Sequence, residues 1–350
     1  MKKPLKLLIV LVFGLTLAAL LGGCATDRAV VQQANDFDQT LEKAAIKDPQ
    51  IESYFQRLGV RIIEGARAYE PDEARKPENS WMFKDLQVHL VNSKTLNAFT
   101  TGGNHMYIYN QLFQDARSED ELAAVMSHEY AHINRRHVQQ GMNRQYALMG
   151  VAAAAGAAGY GLGGKEKGSE YAGMGSGVAA MAGQFIGMGY TRKDEAQADE
   201  YGFHFHSRAG WDPMKFGDFF QHMIEMGYDK GPDYLSDHPS LKSRLELARQ
   251  RAQQLPPSAS QWRRPPVATA DEFRRLQQRA KEMGAHQPDD KSIQQVQKLL
   301  AALPRSCLTP AIHEDQKQAE QELLYEMEKA KPKGGKRQRA DKDKEVISRN

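Results

Sequence analysis

Apolar residues recur at helical spacing over residues 51–68, directly after an Asp48-Pro49 pair that is typical of a helix start. Two shorter stretches, residues 86–91 and 106–109, have the β-branched and aromatic content of strands. Between them, Asn97-Ala98-Phe99 and the glycines that follow supply turn residues. The pattern therefore predicts one amphipathic helix followed by a small sheet.

Two further helices are predicted in the middle of the chain. The first opens at Ser118, and Glu121 lies three residues on, which is the spacing of a capping box. We expect this helix to run through His137. The second begins near Thr191 and passes Phe203.

The remaining segments differ in composition from these helices. Residues 150–190 are rich in Gly and Ala and too interrupted to span a bilayer, so they predict either a hairpin of small-residue helices or a mobile flap that controls access. Two proline pairs bracket a linker at 256–266. The pattern after it predicts amphipathic helices over 271–283, 293–303 and 316–329.

The N-terminus has the features of a secretory signal. Residues 1–23 combine a basic start, an apolar run and small residues, and Leu21-Gly22-Gly23-Cys24 resembles the bacterial lipobox. The sequence thus predicts a periplasmic chain anchored by acyl groups on Cys24, and Ala25 after it is typical of sorting to the outer membrane. An ordinary signal peptide with an incidental cysteine is the alternative. Cys307 is left without an intramolecular partner, so no disulfide is expected.

Charge is distributed unevenly along the chain. Lys and Arg number 47 and Asp and Glu 44, a net charge of +3, and the signal segment alone supplies three lysines and no acid. Residues 329–350 carry nine bases and three acids, so residues 24–328 carry a net −6. This division argues against a dispersed nucleic-acid-binding surface. Because the signal segment also directs the chain out of the cytoplasm, nucleic acid is not expected among its partners. The tail is either a solvated end or a segment attracted to anionic lipid headgroups.

The string His128-Glu129-Tyr130-Ala131-His132 carries the main candidate chemistry. Two histidines four residues apart project from one face of a helix, so their ring nitrogens can share a tetrahedral zinc ion. Glu129 then lies beside a water bound to that metal. Two solvent-facing histidines on an ordinary helix are the alternative, and the third ligand decides between them.

A third ligand could come from a later position of the same segment or from another helix. The metzincin pattern is excluded because position 138 is Val and position 135 is Arg. His137 lies about 140° around the helix from His132, so it cannot close the same site without a break in the helix. A glutamate on a later helix is the other common solution, and Glu195 offers one, with Asp199 a turn further on. An exposed acidic helix face is the alternative for these two residues.

In their order along the chain, these motifs resemble the gluzincin metallopeptidases, a family that includes the HtpX heat-shock protease, the prenyl-protein CAAX protease, mitochondrial Oma-type proteases and soluble bacterial lipoprotein members. The resemblance covers roughly residues 45–255. It is carried by the following strings: Asp48-Pro49, Asn97-Ala98-Phe99, His128 to His132 with His137 after it, Thr191-Arg192-Lys193-Asp194-Glu195-Ala196-Gln197-Ala198-Asp199, and His238-Pro239 with Arg244 six residues after His238. Thr191 stands where many members have Ser.

The resemblance implies one zinc ion per chain, with His128, His132 and Glu195 as its ligands. It implies Glu129 as the general base of peptide-bond hydrolysis. Asp199 would accept a hydrogen bond that sets the tautomer of a ligating histidine.

The roles of three further sites stay open. His238 would assist the oxyanion or cap the zinc as an extra ligand, or it is a loop histidine held by Pro239. Arg244 is expected to pair with an acid that braces this loop. The strand formed by Met106, Tyr107, Ile108 and Tyr109 either binds substrate as an added strand at a sheet edge or uses its tyrosines to cover one face of the sheet.

Together these patterns predict an α+β, mainly α, protein with a gluzincin metallopeptidase domain and a small β-sheet. The expected parts are a signal peptide (1–23), the peptidase domain (24–255), a helical extension (256–330) and a basic disordered tail (331–350). The resemblance implies a zinc metalloendopeptidase that cleaves misfolded or unfolded envelope and outer-membrane proteins. A mostly latent, metal-bound chaperone or assembly factor for outer-membrane proteins, or a scaffold that recruits partners, are the alternatives.

Overall fold

The computed structural model describes residues 27–144, 190–229, 240–288, 290–303 and 321. Several sequence predictions lie outside these residues: the signal segment and Cys24, the Gly/Ala-rich residues 150–189, His238, the helix over 316–329 and the basic tail. The described part is mainly helical with one three-stranded sheet, which confirms the predicted fold class.

The N-terminal part contains one long buried helix and several shorter ones. Residues 27–41 form α1, and α2 (Pro49–Tyr69) begins at Asp48, whose carboxylate accepts hydrogen bonds from two backbone N–H groups of the first turn. The apolar positions of the predicted helix are buried on one face of α2, so this prediction is confirmed. The short helices α3 (Pro71–Arg75) and α4 (Ser80–Lys84) follow.

The sheet consists of β1 (Gln87–Val91), β2 (Ala98–Thr100) and β3 (His105–Tyr109). The strand order is β1-β3-β2, with β1 parallel and β2 antiparallel to β3. The sequence prediction of a turn at Asn97-Ala98-Phe99 is wrong in part, because Ala98 and Phe99 are buried and pair with β3. The turn lies further on, where Gly102 has a φ of 83° that favours glycine.

The interpretation of Met106, Tyr107, Ile108 and Tyr109 as a substrate-binding edge is wrong. They belong to β3, the central strand, whose two sides already pair with β1 and β2. The Tyr107 hydroxyl donates to Asp38 and the Tyr109 hydroxyl donates to the carbonyl of Leu300, so both tyrosines attach helices to one face of the sheet. A short hydrophobic strand can be central or peripheral, and its own sequence does not distinguish the two.

After α5 (Asn110–Asp115), helix α6 (Glu119–Asn134) begins at Ser118, whose hydroxyl accepts a hydrogen bond from the N–H of Glu121. The capping box is only half formed, since the Glu121 carboxylate accepts from the N–H of Arg117 instead. The prediction that this helix continues through His137 is wrong. It ends at Asn134, Arg136 has a φ of 56°, and residues 137–144 form a separate helix, α7.

The later helices pack around α2 and α6. These are α8 (Arg192–Arg208), α9 (Asp218–Glu225), α10 (Leu241–Gln253), α11 (Ala270–Ala285) and α12 (Lys291–Ala302). Helix α8 begins at a complete capping box between Thr191 and Asp194. The predictions of helices from Thr191, over 271–283 and over 293–303 are confirmed.

The proline-rich segment between α10 and α11 is hydrogen-bonded to α2 and to the start of α6. Arg61 of α2 donates to the carbonyls of Ala209 and Pro265, at 2.9 and 2.6 Å. The Glu119 carboxylate at the start of α6 accepts from the N–H groups of Val267 and Ala268, at 2.6 and 2.7 Å. The segment therefore holds α11 against the core instead of separating it as a free linker.

The sheet divides the apolar core into two parts. Its inner face packs Val88, Leu90, Met106 and Ile108 against α2 and α6, within the main core. Its outer face, which includes Tyr107 and Tyr109, packs under α1 and α12. Among the described helices, none combines the length and apolar character needed to cross a bilayer.

Gly65→Ala tests the close crossing of α2 and α8. A Cβ at this position would lie 2.3 Å from the carbonyl oxygen of Phe205 and 2.7 Å from the backbone nitrogen of Ala209. Ala favours a helix over Gly by about 1 kcal/mol, but the backbone of α8 cannot yield as a flexible side chain would. We expect a net loss of about 1–2 kcal/mol in the free energy of unfolding, measured by urea denaturation.

The matched control is Glu64→Ala, one residue earlier on the same helix. Glu64 makes a half-exposed ion pair with Arg264, so its loss should change the free energy of unfolding by less than about 1 kcal/mol. A Gly65→Ala protein as stable as wild type would show that the two helices do not meet as closely as their backbone distances indicate.

Candidate metal centre

Three predicted ligands converge where α6 crosses α8. Nε2 of His128 lies 3.1 Å from Nε2 of His132, and these nitrogens lie 3.6 and 3.5 Å from the two carboxylate oxygens of Glu195. Gly202 makes the crossing possible, because a Cβ there would lie 2.9 Å from the backbone of His128. The two helices thus bring into contact side chains 63 or more positions apart in sequence.

The three donor groups fit zinc. Zinc–ligand bonds of about 2.0–2.1 Å in a tetrahedron place neighbouring donor atoms about 3.3 Å apart, close to the three observed separations. The Glu195 side chain is fully buried, and neither of its oxygens has a hydrogen-bond partner among the described residues. Burial raises the pKa of Glu195 well above its ordinary value, which is the expected response of a carboxylate placed where a cation belongs.

A buried ion pair sets the tautomer of His128. Nδ1 of His128 lies 3.0 Å from Oδ1 of Asp199, and Arg244 donates to both oxygens of that carboxylate at 2.7 Å. Burial alone would raise the pKa of Asp199, but Arg244 and the hydrogen bond with His128 outweigh it and lower the pKa. Asp199 is therefore an anion that accepts Nδ1–H, which leaves the Nε2 lone pair of His128 facing Glu195.

A second chain of hydrogen bonds does the same for His132. Its Nδ1 lies 2.8 Å from Nδ1 of His137, whose Nε2 lies 2.9 Å from Oε1 of Gln197. Because a carbonyl oxygen only accepts, we assign the proton of His137 to Nε2 and that of His132 to Nδ1. Burial lowers the pKa of His137, consistent with a neutral ring. Nε2 of His132 is then free of a proton and points into the site.

The sequence gives only a weak signal of this second chain. A continuous helix would carry His137 away from His132, and the break at Arg136 brings it back. Gln197 lies in the same motif as Glu195 and Asp199. An amide two residues from a candidate ligand is not a spacing that indicates a role at a metal site. His137 reaches the site through a local backbone conformation that the hydrophobic pattern does not reveal.

Glu129 and Tyr190 complete the described part of the site. Glu129 is fully buried beside His128 on α6. The Tyr190 ring stacks on His132, with centroids 3.8 Å apart, and its hydroxyl lies beside Thr100 at the end of β2. Burial raises the pKa of Tyr190 well above its ordinary value, so its hydroxyl stays protonated. Sequence reasoning missed Tyr190, which precedes the motif of α8.

Comparison with known families agrees with this geometry. The family described as peptidase family M48 matches residues 73–252, which contain the candidate ligands His128, His132 and Glu195. The matched region spans helix α6 with its two histidines and α8 with Glu195.

Three relatives illustrate the extent of the similarity. The beta-barrel assembly-enhancing proteases of Yersinia pestis and Escherichia coli are 32% and 29% identical to the chain, over 61% and 62% of its length. The metalloprotease LoiP of Escherichia coli is 25% identical over 45% of the chain and 60% of LoiP. The chain spans only 41% and 42% of the two assembly-enhancing proteases.

Gln197→Leu tests the hydrogen-bond chain behind His132. Without the amide oxygen, His137 and His132 no longer have a preferred tautomer, and the Nε2 lone pair of His132 is presented to the metal less often. Loss of such a supporting contact typically weakens metal binding by about 10–100-fold. Competition with a chelating zinc indicator measures the dissociation constant.

Gln197→Glu is the control, because a carboxylate keeps an acceptor oxygen in the same place. It should bind zinc with close to the wild-type affinity. Unchanged affinity in Gln197→Leu would mean that the tautomer of His132 does not depend on His137 and Gln197.

Proposed function

The chain belongs to peptidase family M48, and on that premise we propose that it is a zinc-dependent endopeptidase of the bacterial cell envelope. The observation that carries this proposal is the buried cluster of His128, Glu129 and His132, closed by Glu195 from a second helix. A set of two imidazoles and one carboxylate is a ligand set typical of catalytic zinc, which keeps a further position for water or substrate.

Different residues of the site bind the metal, transfer the proton and orient the ligands. His128, His132 and Glu195 would hold the zinc ion, which when bound would supply Lewis acidity and lower the pKa of a bound water molecule toward neutrality. Glu129 accepts the proton of the attacking water and passes it to the leaving amine of the peptide. Asp199 and His137 keep the two histidines in the tautomers that leave their inward nitrogens unprotonated.

Extended backbone is the feature of substrate that we expect the site to recognise. With β3 in the centre of the sheet and the outer side of β1 bonded to Ala44 and Ile46, the outer side of β2 is the edge that carries no strand in the described part of the chain. β2 also ends at Thr100, next to Tyr190 and the metal ligands. A polypeptide added at this edge would be held by backbone hydrogen bonds, which tolerate varied sequences.

We infer that the substrates are unfolded or misfolded envelope proteins, including outer-membrane proteins. Two relatives are named beta-barrel assembly-enhancing proteases, which supports an outer-membrane context. Recognition through backbone suits unfolded chains, because folded proteins have few unpaired strands to offer. The family match establishes the peptidase domain, and the substrate class is our proposal.

We also propose that the protein is held at the outer membrane by lipid on Cys24. The support is the order of residues 21–24 after an apolar signal segment and the absence of Asp at position 25. Such an anchor would place the peptidase domain at the membrane surface where outer-membrane proteins assemble.

Glu129→Gln tests the peptidase activity. The amide cannot accept a proton, so we expect cleavage of casein or an unfolded outer-membrane protein to slow by about 10²–10⁴-fold. The zinc content should stay at the wild-type value, because Glu129 is not one of the ligands. Cleavage is followed by gel analysis and zinc by elemental analysis of the same samples.

Glu200→Gln, an exposed change on α8, is the matched control and should cleave at the wild-type rate. Equal rates for wild type and Glu129→Gln would refute the assigned role. A zinc-loaded wild type that cleaves none of these substrates, yet promotes assembly of outer-membrane proteins, would favour the chaperone alternative.

Cys24→Ser tests the anchor. Labelling of growing cells with radioactive palmitate should mark the wild type and Cys307→Ser, but not Cys24→Ser. The Cys24→Ser protein should also leave the membrane fraction. Palmitate incorporation that survives the substitution would contradict lipidation at this residue.

A further inference from the structure

A second group of metal-binding side chains lies on the outer face of the sheet. Asp38 comes from α1, His89 from β1 and His105 from β3. We propose that these three residues bind a second divalent transition-metal ion, of the zinc class, separate from the catalytic one. Asp38 lies outside the residues matched by the family, whereas His89 and His105 lie within them.

The donor atoms have spacings similar to those of the catalytic site. Nε2 of His89 lies 3.1 Å from Nδ1 of His105, and these nitrogens lie 3.3 and 3.5 Å from Oδ1 of Asp38. The values bracket the edge of about 3.3 Å expected between neighbouring ligands of tetrahedral zinc. Two imidazoles and one carboxylate also form a ligand set that zinc commonly takes.

Surrounding contacts orient two of the three ligands. Nε2 of His105 lies 2.9 Å from Oδ1 of Asn35, so it carries the proton and Nδ1 presents a lone pair to the cluster. The Tyr107 hydroxyl donates to Oδ1 of Asp38 at 2.8 Å. The amide oxygen that accepts from His105 resembles that of Gln197, which ends the hydrogen-bond chain behind His132.

Three potential acceptor atoms meet in the cluster: Nε2 of His89, Nδ1 of His105 and Oδ1 of Asp38. With His105 and Asp38 both accepting, the proton on Nε2 of His89 is the one ring proton that can lie between two acceptors. When that proton moves to Nδ1 of His89, a divalent cation can take its place and interact with all three atoms at once. The side chains of Asp38 and His89 are each 18% exposed and that of His105 is 5% exposed, so the site opens to solvent on one side, where water can complete the coordination.

The ring geometry predicts a weaker affinity than at the catalytic site. The His89 and His105 rings lie within 18° of parallel with centroids 5.3 Å apart, whereas the His128 and His132 rings meet at 76° with centroids 4.8 Å apart. The nitrogens of the first pair therefore face each other almost in line, and His89 must turn for its lone pair to reach a shared ion. Once bound, that ion would fix α1 to the two strands beneath it.

The test counts zinc on the full chain. Zinc-depleted protein is equilibrated with buffered free Zn²⁺ over a range of concentrations, and bound metal is measured by elemental analysis. Wild type should reach two ions per chain in two steps. Glu195→Gln should lose the tighter step, and Asp38→Asn should lose the weaker step while it keeps the tighter one and any peptidase activity.

Asp38→Asn is chosen because the amide oxygen can still accept from Tyr107, so the fold has little reason to change. Asp36→Asn, an exposed change on the same helix, is the control and should bind two ions. His89→Gln is a second variant of the site and should also bind one. Co²⁺ added to Glu195→Gln should give visible d–d absorption that the double variant with Asp38→Asn lacks.

Two results would overturn the second site. One is a wild type that binds a single ion at every free Zn²⁺ concentration. The other is an Asp38→Asn protein that binds as many ions as wild type, which would identify the cluster as a hydrogen-bonded network only. Failure of the proposed peptidase function has a different signature, since it would leave both zinc steps in place without cleavage.

Discussion

Burial of the Glu195 carboxylate between two histidines is the constraint on which the rest of the site depends. Glu129, Glu195 and Asp199 are all buried at one helix crossing, and Arg244 is the guanidinium that pairs with this group. A divalent cation would balance the remaining two negative charges, whereas without it burial raises the pKa of Glu195 and favours its neutral form. The helix crossing, the glycine that allows it and the ion pair behind His128 therefore form one arrangement organised around a metal.

The two histidines are oriented by different means. His128 donates to a carboxylate held by a buried arginine, which combines charge with a bidentate hydrogen bond. His132 depends on a neutral chain through His137 to an amide. The first contact places a negative charge beside its histidine and the second does not, although both leave Nε2 facing Glu195.

Part of this arrangement could be predicted from the sequence. The spacing of His128 and His132 places both side chains on one face of a regular helix. The roles of Glu195 and Asp199 are implied by the resemblance to the gluzincin family, because two acids one turn apart are equally typical of a solvated helix face. Features set by local breaks could not be predicted. The turn at Arg136 that returns His137 to the site is one, and the central position of β3 is another, because strand order depends on long-range packing that a five-residue segment does not encode.

The central claim is that one zinc ion is held by His128, His132 and Glu195. X-ray absorption at the zinc edge tests it directly on Asp38→Asn protein, in which the second site is removed, loaded with one equivalent of zinc. We expect a first shell of nitrogen and oxygen at about 2.0–2.1 Å with imidazole scattering and no sulfur, and a changed shell when Glu195→Gln is added to that variant. A sulfur ligand at about 2.3 Å, or a spectrum unchanged by Glu195→Gln, would contradict the claim.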